Sequence, residues 1–98
     1  MKYNSDTFFH DMLACFNRLD DHRLNKEHRI GALLDAYSIL QDMDSKWDKI
    51  SDQDKGKAHY FWRVYVKPEA EKHRIILDGG EPQYMQKKSS AATRERKL

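Results

Sequence analysis

Apolar side chains recur every three or four residues along most of this chain, and three stretches carry that helical period. Phe8, Phe9, Met12, Leu13, Cys15, Phe16 and Leu19 predict an amphipathic helix over residues 6–19, with Ser5, Asp6 and Thr7 offering oxygens at its start. Ile30, Leu33, Leu34, Tyr37, Leu40 and Met43 predict a second over 26–43, capped by Asn25. Gly31 lies inside it and costs roughly 1 kcal/mol against alanine, which implies a neighbour packed closely there. A polar connector follows, broken by Trp47 and Ile50, whose spacing suits one short turn over the core.

Ser51 to Asp54 resembles a capping box and opens a third helix, along which Ala58, Phe61, Trp62 and Tyr65 share a face. The run Tyr60 to Val66 is also rich in strand formers. Helix is preferred, because the cap is in place and no second convincing strand exists for it to pair with. Pro68 lacks a donor and clashes with the carbonyl four residues back, so this helix is expected to end or kink there. Glu69 to Leu77 then reads as a fourth helical piece, with proline at its first turn and Gly79 past its end. The pattern thus predicts an all-α, single-domain bundle of about four helices over residues 1–80, jointed at Pro68. Residues 81–98 form a basic tail that reads as disordered, most plainly in the polar stretch 86–98.

Charge and composition narrow the picture. The chain has 98 residues and a net charge of +2, but residues 81–98 hold five Lys/Arg against two Glu, a net +3, so the rest carries −1. The tail is therefore the element suited to polyanions. Cys15 is the single cysteine, which excludes an internal disulfide and fits a reducing, cytoplasmic setting. It falls in an apolar run and reads as a buried thiol. No apolar run is long enough for a membrane span.

Candidate chemistry is thin. His10, His22, His28, His59 and His73 show no metal-binding spacing, and Asp42, Asp44 and Asp48 lack the glycine and closing glutamate of a calcium loop. Glu69, Glu71 and His73 alternate, so on a helix they point apart. The residues thus predict no enzyme, no cofactor and no metal. Tyr60, Phe61, Trp62 and Tyr65 put four of the eleven aromatics within six residues, and with Ile75 and Ile76 they are the expected partner-binding anchors. A second reading has Lys87, Lys88, Arg94, Arg96 and Lys97 contacting phosphates or a partner while aromatics stack on bases, which would make the chain a small DNA-binding accessory protein. Nucleic acid is at most a secondary partner on this count, because the aromatics are not interleaved with the basic run. Lys67-Pro68 is a candidate isomerisation switch between two segments; trans is the commoner state of such bonds.

Three landmarks carry a resemblance that spans all 98 residues. They are the opening Met1-Lys-Tyr-Asn-Ser-Asp-Thr-Phe-Phe-His10, the aromatic run into Lys67-Pro68-Glu69, and the closing Arg94-Glu-Arg-Lys-Leu98. Together they resemble the anti-RecBCD proteins of lambdoid phages. The resemblance implies a phage recombination accessory acting in the bacterial host cytoplasm. It would bind the host RecBCD helicase-nuclease, through RecC, and alter its nuclease activity and response to Chi in favour of phage recombination. It also implies a host peptidyl-prolyl isomerase as a partner, with Pro68 the residue on which it would act.

Overall fold

The computed structural model describes residues 2–83. Four α-helices lie in the order α1 (Phe8–Asp20), α2 (Lys26–Ser45), α3 (Asp52–Phe61) and α4 (Lys67–Lys72), with a 3-10 turn at Trp47–Lys49. Between α3 and α4, Trp62–Val66 is a π turn, so residues 52–72 make one unbroken helical rod. The described residues are therefore all-α, built from three rods, and the expected fourth helix is the end of the third.

Local chemistry explains most boundaries. The side chain of Asn25 accepts from the His28 N–H (2.8 Å) and opens α2, and Ser51 Oγ accepts from the Asp54 N–H (3.2 Å) to open α3. The start of α1 is built differently from the expectation. Thr7 occupies the cap position without capping through its side chain; its hydroxyl donates to Asp11 instead (2.8 Å), while Asn4 Oδ1 accepts from the Asp6 N–H (2.9 Å). At the far end of α1, Arg29 reaches back from α2 and donates to the Leu19 carbonyl (2.8 Å), satisfying one of the acceptors that a helix C-terminus leaves bare. In the connector, Asp21 accepts from the Arg23 guanidinium and backbone N–H (both 3.0 Å), and those hydrogen bonds hold its carboxyl down at about 2.

Pro68 does not end the rod. In a regular α-helix its ring would press on the carbonyl of Val64 and the bond from residue 68 would be missing. The π turn widens the helix just ahead of it, with the Lys67 N–H donating five residues back to Trp62, and the chain passes through the proline into α4. Termination comes later, and earlier than the Leu77 expected. The Ile75 N–H donates to the Ala70 carbonyl (2.8 Å) and the Arg74 N–H to the Glu71 carbonyl (3.2 Å), which is the paired bond pattern of a Schellman cap. Its left-handed position is filled by Arg74 (φ 57°) rather than glycine. Ile75, Ile76 and Leu77 thus lie outside the helix.

Beyond the cap, residues 75–83 form a strap over α2 and the π turn. The Tyr37 hydroxyl donates to the Gly80 carbonyl (2.7 Å), Trp62 Nε1 donates to Glu81 (3.1 Å), and the Gln83 N–H donates to Asp44 (2.7 Å). Glu81 and Gln83, assigned to the tail on composition, are thereby tied to the body, and Pro82 is buried. Gly79 passes so close to α2 that a Cβ would lie 1.9 Å from Gln41 Nε2 and 2.8 Å from Tyr37 Oη. Gly31 is the opposite case: nothing lies within 4 Å of a Cβ there, so the close neighbour its position implied is missing.

The core gathers Phe8, Met12, Cys15, Phe16 and Leu19 from α1 with Leu33, Ala36, Tyr37, Ile39, Leu40 and Met43 from α2. Trp47 and Ile50 cover one end, and Ala58, Phe61, Trp62, Val66 and Ala70 face it from the third rod. Leu34, expected inside, is exposed, whereas Ile39 is fully buried. Tyr3 pins the N-terminal segment to two rods, its N–H donating to Asp42 (2.8 Å) and its hydroxyl to Asp54 (2.5 Å). No helix among the described residues is long and apolar enough to cross a membrane.

Candidate interaction surface

The aromatic run from Tyr60 to Tyr65 divides by rod geometry. Phe61 and Trp62 are buried at 5% exposure each, so these two expected anchors are core residues. Phe61 is the hub of an aromatic cluster, with its ring centroid 5.9 Å from Phe8, 6.3 Å from Phe9 and 5.3 Å from Phe16. Trp62 turns the other way, toward Tyr37 (6.2 Å) and the strap. Tyr65 is half-buried, stacked on Phe16 and donating to Asp20 (2.6 Å). Tyr60 alone of the four is well exposed, at 53%.

The surface the sequence placed on one segment is therefore shared between two rods. Beside Tyr60, Val64 is 49% exposed, and across the seam Phe9 and Leu13 of α1 are 46% and 38% exposed. Phe9 and Tyr60 both contact the Phe61 ring, one from each rod, and Leu13 and Val64 stand one helical turn further on. The result is an apolar ridge over the α1/α3 seam. Basic side chains lie on the third rod: the Lys57 ammonium is 5.0 Å from the Phe9 ring centroid, and Arg63 and Lys67 are exposed. Val64 and Leu13 were missed as surface residues because periodicity alone puts them in the same class as their buried neighbours; the Phe8–Phe9 pair, whose place near the terminus also allowed an exposed anchor, divides into a buried Phe8 and an exposed Phe9.

The other expected anchors lie elsewhere. Ile75 is half-buried and lines, with Trp62, Ala70 and Leu77, an open cleft of about 260 Å³ whose rim holds Lys67, Glu71 and Glu81. Ile76 projects into solvent at 89% exposure. Pro68 is exposed at the start of α4, and its peptide bond with Lys67 is trans. Lys87, Lys88, Arg94, Arg96 and Lys97 fall outside the described residues.

Groups with potential chemistry are dispersed. Cys15 is buried, and burial pushes its thiol pKa up even though Arg18 (Nη2 3.7 Å from Sγ) pulls it down. Among the described residues no three His, Cys, Asp or Glu side chains converge in a way that would hold a metal ion. Comparison of the chain with models of protein families, with curated proteins and with solved structures finds no match.

Proposed function

We propose that this protein is a phage-encoded modulator that binds the host RecBCD helicase-nuclease, through RecC, and alters its nuclease activity and Chi response in favour of phage recombination. It acts by binding, not by catalysis. The particular partner comes from the resemblance of the landmark segments to the anti-RecBCD proteins of lambdoid phages. The structural observation that supports a binding role is the apolar ridge: Phe9, Leu13, Tyr60 and Val64 are large, exposed and grouped over one seam. A small domain that must use nearly all its apolar side chains in its core gains nothing in stability from such a group, whereas an interface requires one.

Pro68 enters this reading as the residue on which a host peptidyl-prolyl isomerase acts. It is accessible on the surface of α4. Because it sits within a helical rod, the isomerase would work on a locally opened α4, and Pro68→Ala would abolish the step. A Pro68→Ala protein that binds RecBCD and shifts its Chi response as the wild type does would remove the isomerase from the account.

The test of the main reading is retention of purified RecBCD, and separately of linear duplex DNA, by the immobilised protein at low and high salt. Retention of RecBCD in high salt without DNA is expected, since an apolar interface loses little as salt rises. Salt-sensitive retention of DNA without RecBCD would instead make the protein a DNA-binding accessory acting through its basic residues, since phosphate contacts weaken steeply with salt.

A further inference from the structure

The ridge has a definite shape and a definite charge. Phe9 and Leu13 are four apart on α1, as are Tyr60 and Val64 on the third rod, so each rod offers two exposed apolar side chains one turn apart. A cation–π contact and a hydrogen bond show that the rods run side by side in the same direction: Lys57 meets Phe9 toward their starts, and Tyr65 donates to Asp20 further on. Two rods so placed leave a shallow seam, and a helix laid along it meets apolar side chains from both sides.

The seam is also electrostatically unbalanced. Lys57, Arg63 and Lys67 have no carboxylate partner among the described residues, where the ion pairs are Arg18–Asp35, Arg23–Asp21, Lys46–Asp42 and Lys72–Glu69. Three carboxylates on the adjoining elements are engaged, Asp11 accepting from Thr7, Asp20 from Tyr65 and Glu69 facing Lys72, whereas Glu71 shares the cleft rim with Lys67. An incoming surface would find Lys57 and Arg63 without ion-pair partners among the described residues beside four apolar side chains, with Lys67 further along the rod, where it shares a cleft rim with Glu71 and Glu81.

We propose that the α1/α3 seam receives an acidic amphipathic helix of the partner, its apolar side chains laid on the ridge and its carboxylates against the three cations. The inference rests on the RecBCD-binding reading and adds which face is used and what chemistry it meets. A nucleic acid satisfies the cations and stacks on Phe9 and Tyr60, but Leu13 and Val64 are aliphatic and give a base no ring to stack on. A helix uses all four.

The experiment measures RecBCD binding to the immobilised full chain. Leu13→Glu and Val64→Glu, and separately the triple charge reversal Lys57→Glu/Arg63→Glu/Lys67→Glu, are each expected to weaken binding by about tenfold or more. Lys26→Glu, a charge reversal at the first residue of α2, is the control and leaves affinity unchanged. All the substituted side chains are at least partly exposed, so thermal melts by circular dichroism should match the wild type and separate lost binding from lost fold. A photo-crosslinker replacing Tyr60 is expected to label a helix of RecBCD rich in Asp and Glu. Wild-type affinity in every ridge variant, or a label on a basic or non-helical segment, would overturn the assignment of the face while leaving RecBCD binding intact. Absence of RecBCD binding by the wild type would overturn both. If the same variants instead lose retention on a single-stranded DNA probe and keep RecBCD, the seam is a nucleic-acid surface.

Discussion

The ring of Tyr65 lies flat on that of Phe16, with centroids 3.9 Å apart and planes 15° from parallel, and this stack joins the π turn to the middle of α1. Phe16 is buried and also meets the edge of Phe61, so it stands between two aromatic layers. Phe16→Ala is expected to cost about 3–5 kcal/mol in urea unfolding, whereas Tyr65→Phe keeps the ring and loses only the exposed bond to Asp20, about 0.5–1 kcal/mol. Equal costs for the two would show that the stack does not hold α1 to the third rod.

Alkaline pH should weaken the fold through two phenols. Donation to Asp20, followed by burial and the Asp20 charge, pushes the Tyr65 pKa up to about 12; burial first, then donation to Asp54, does the same for Tyr3. A pKa raised in the folded state means that the folded chain holds the proton more tightly. Their contribution is therefore complete below the ordinary tyrosine value of about 10 and is lost as pH rises from there toward 12. Urea midpoints measured from pH 8 to 11 should fall more steeply in the wild type than in a Tyr3→Phe/Tyr65→Phe protein, and parallel curves would refute the assignment.

Gly31→Ala should stabilise the protein. The position is helical, and a Cβ there would meet no atom within 4 Å, so only the helix propensity term remains, about 0.5–1 kcal/mol in favour of alanine. A rise of that size in unfolding free energy is the expected result; a loss would reveal a neighbour that occupies the space in solution.

The entry to the strap and its middle respond oppositely to small changes. Arg74→Gly removes the strain of a left-handed arginine at the cap of α4, partly offset by the greater freedom of glycine in the unfolded chain, for a net gain of up to about 1 kcal/mol. Gly79→Ala forces the Gln41 amide and Tyr37 hydroxyl aside and breaks the tie to Gly80, costing about 1–3 kcal/mol. Limited proteolysis within residues 75–83 should slow in the first variant and quicken in the second.

Where the sequence signal is local and chemically specific, it located the structure well. Asn25 and Ser51 cap the helices they precede, and Trp47 with Ile50 makes the short turn their spacing suggested. The failures share a different origin. Arg74 caps α4 in the conformation that normally flags itself by a glycine, so the Asp78-Gly79-Gly80 segment drew the boundary instead, although Gly79 serves a close approach to α2. The site was half legible for a similar reason. Tyr60, Phe61, Trp62 and Tyr65 announced an aromatic surface, but separating the exposed Tyr60 from the buried Phe61 and Trp62 requires the third rod's true periodicity, and joining Phe9 and Leu13 to Tyr60 in one surface requires knowing that α1 lies alongside.

That periodicity has one further meaning. Ala58, Trp62, Val66 and Ala70 all face the core at four-residue intervals, yet 12 residues of regular α-helix make 3.3 turns and would carry Ala70 about a third of a turn away. The π turn absorbs the difference, so the rod contains one residue more than a straight helix would need between the same faces. That spare residue is also the slack through which a proline is threaded. Shortening the rod by one exposed position, such as Arg63, would restore regular winding with both ends still facing the core, and would leave the proline with nowhere to go. A single-residue deletion harmless in an ordinary helix becomes incompatible with Pro68, and replacing Pro68 with alanine is the change that should rescue it.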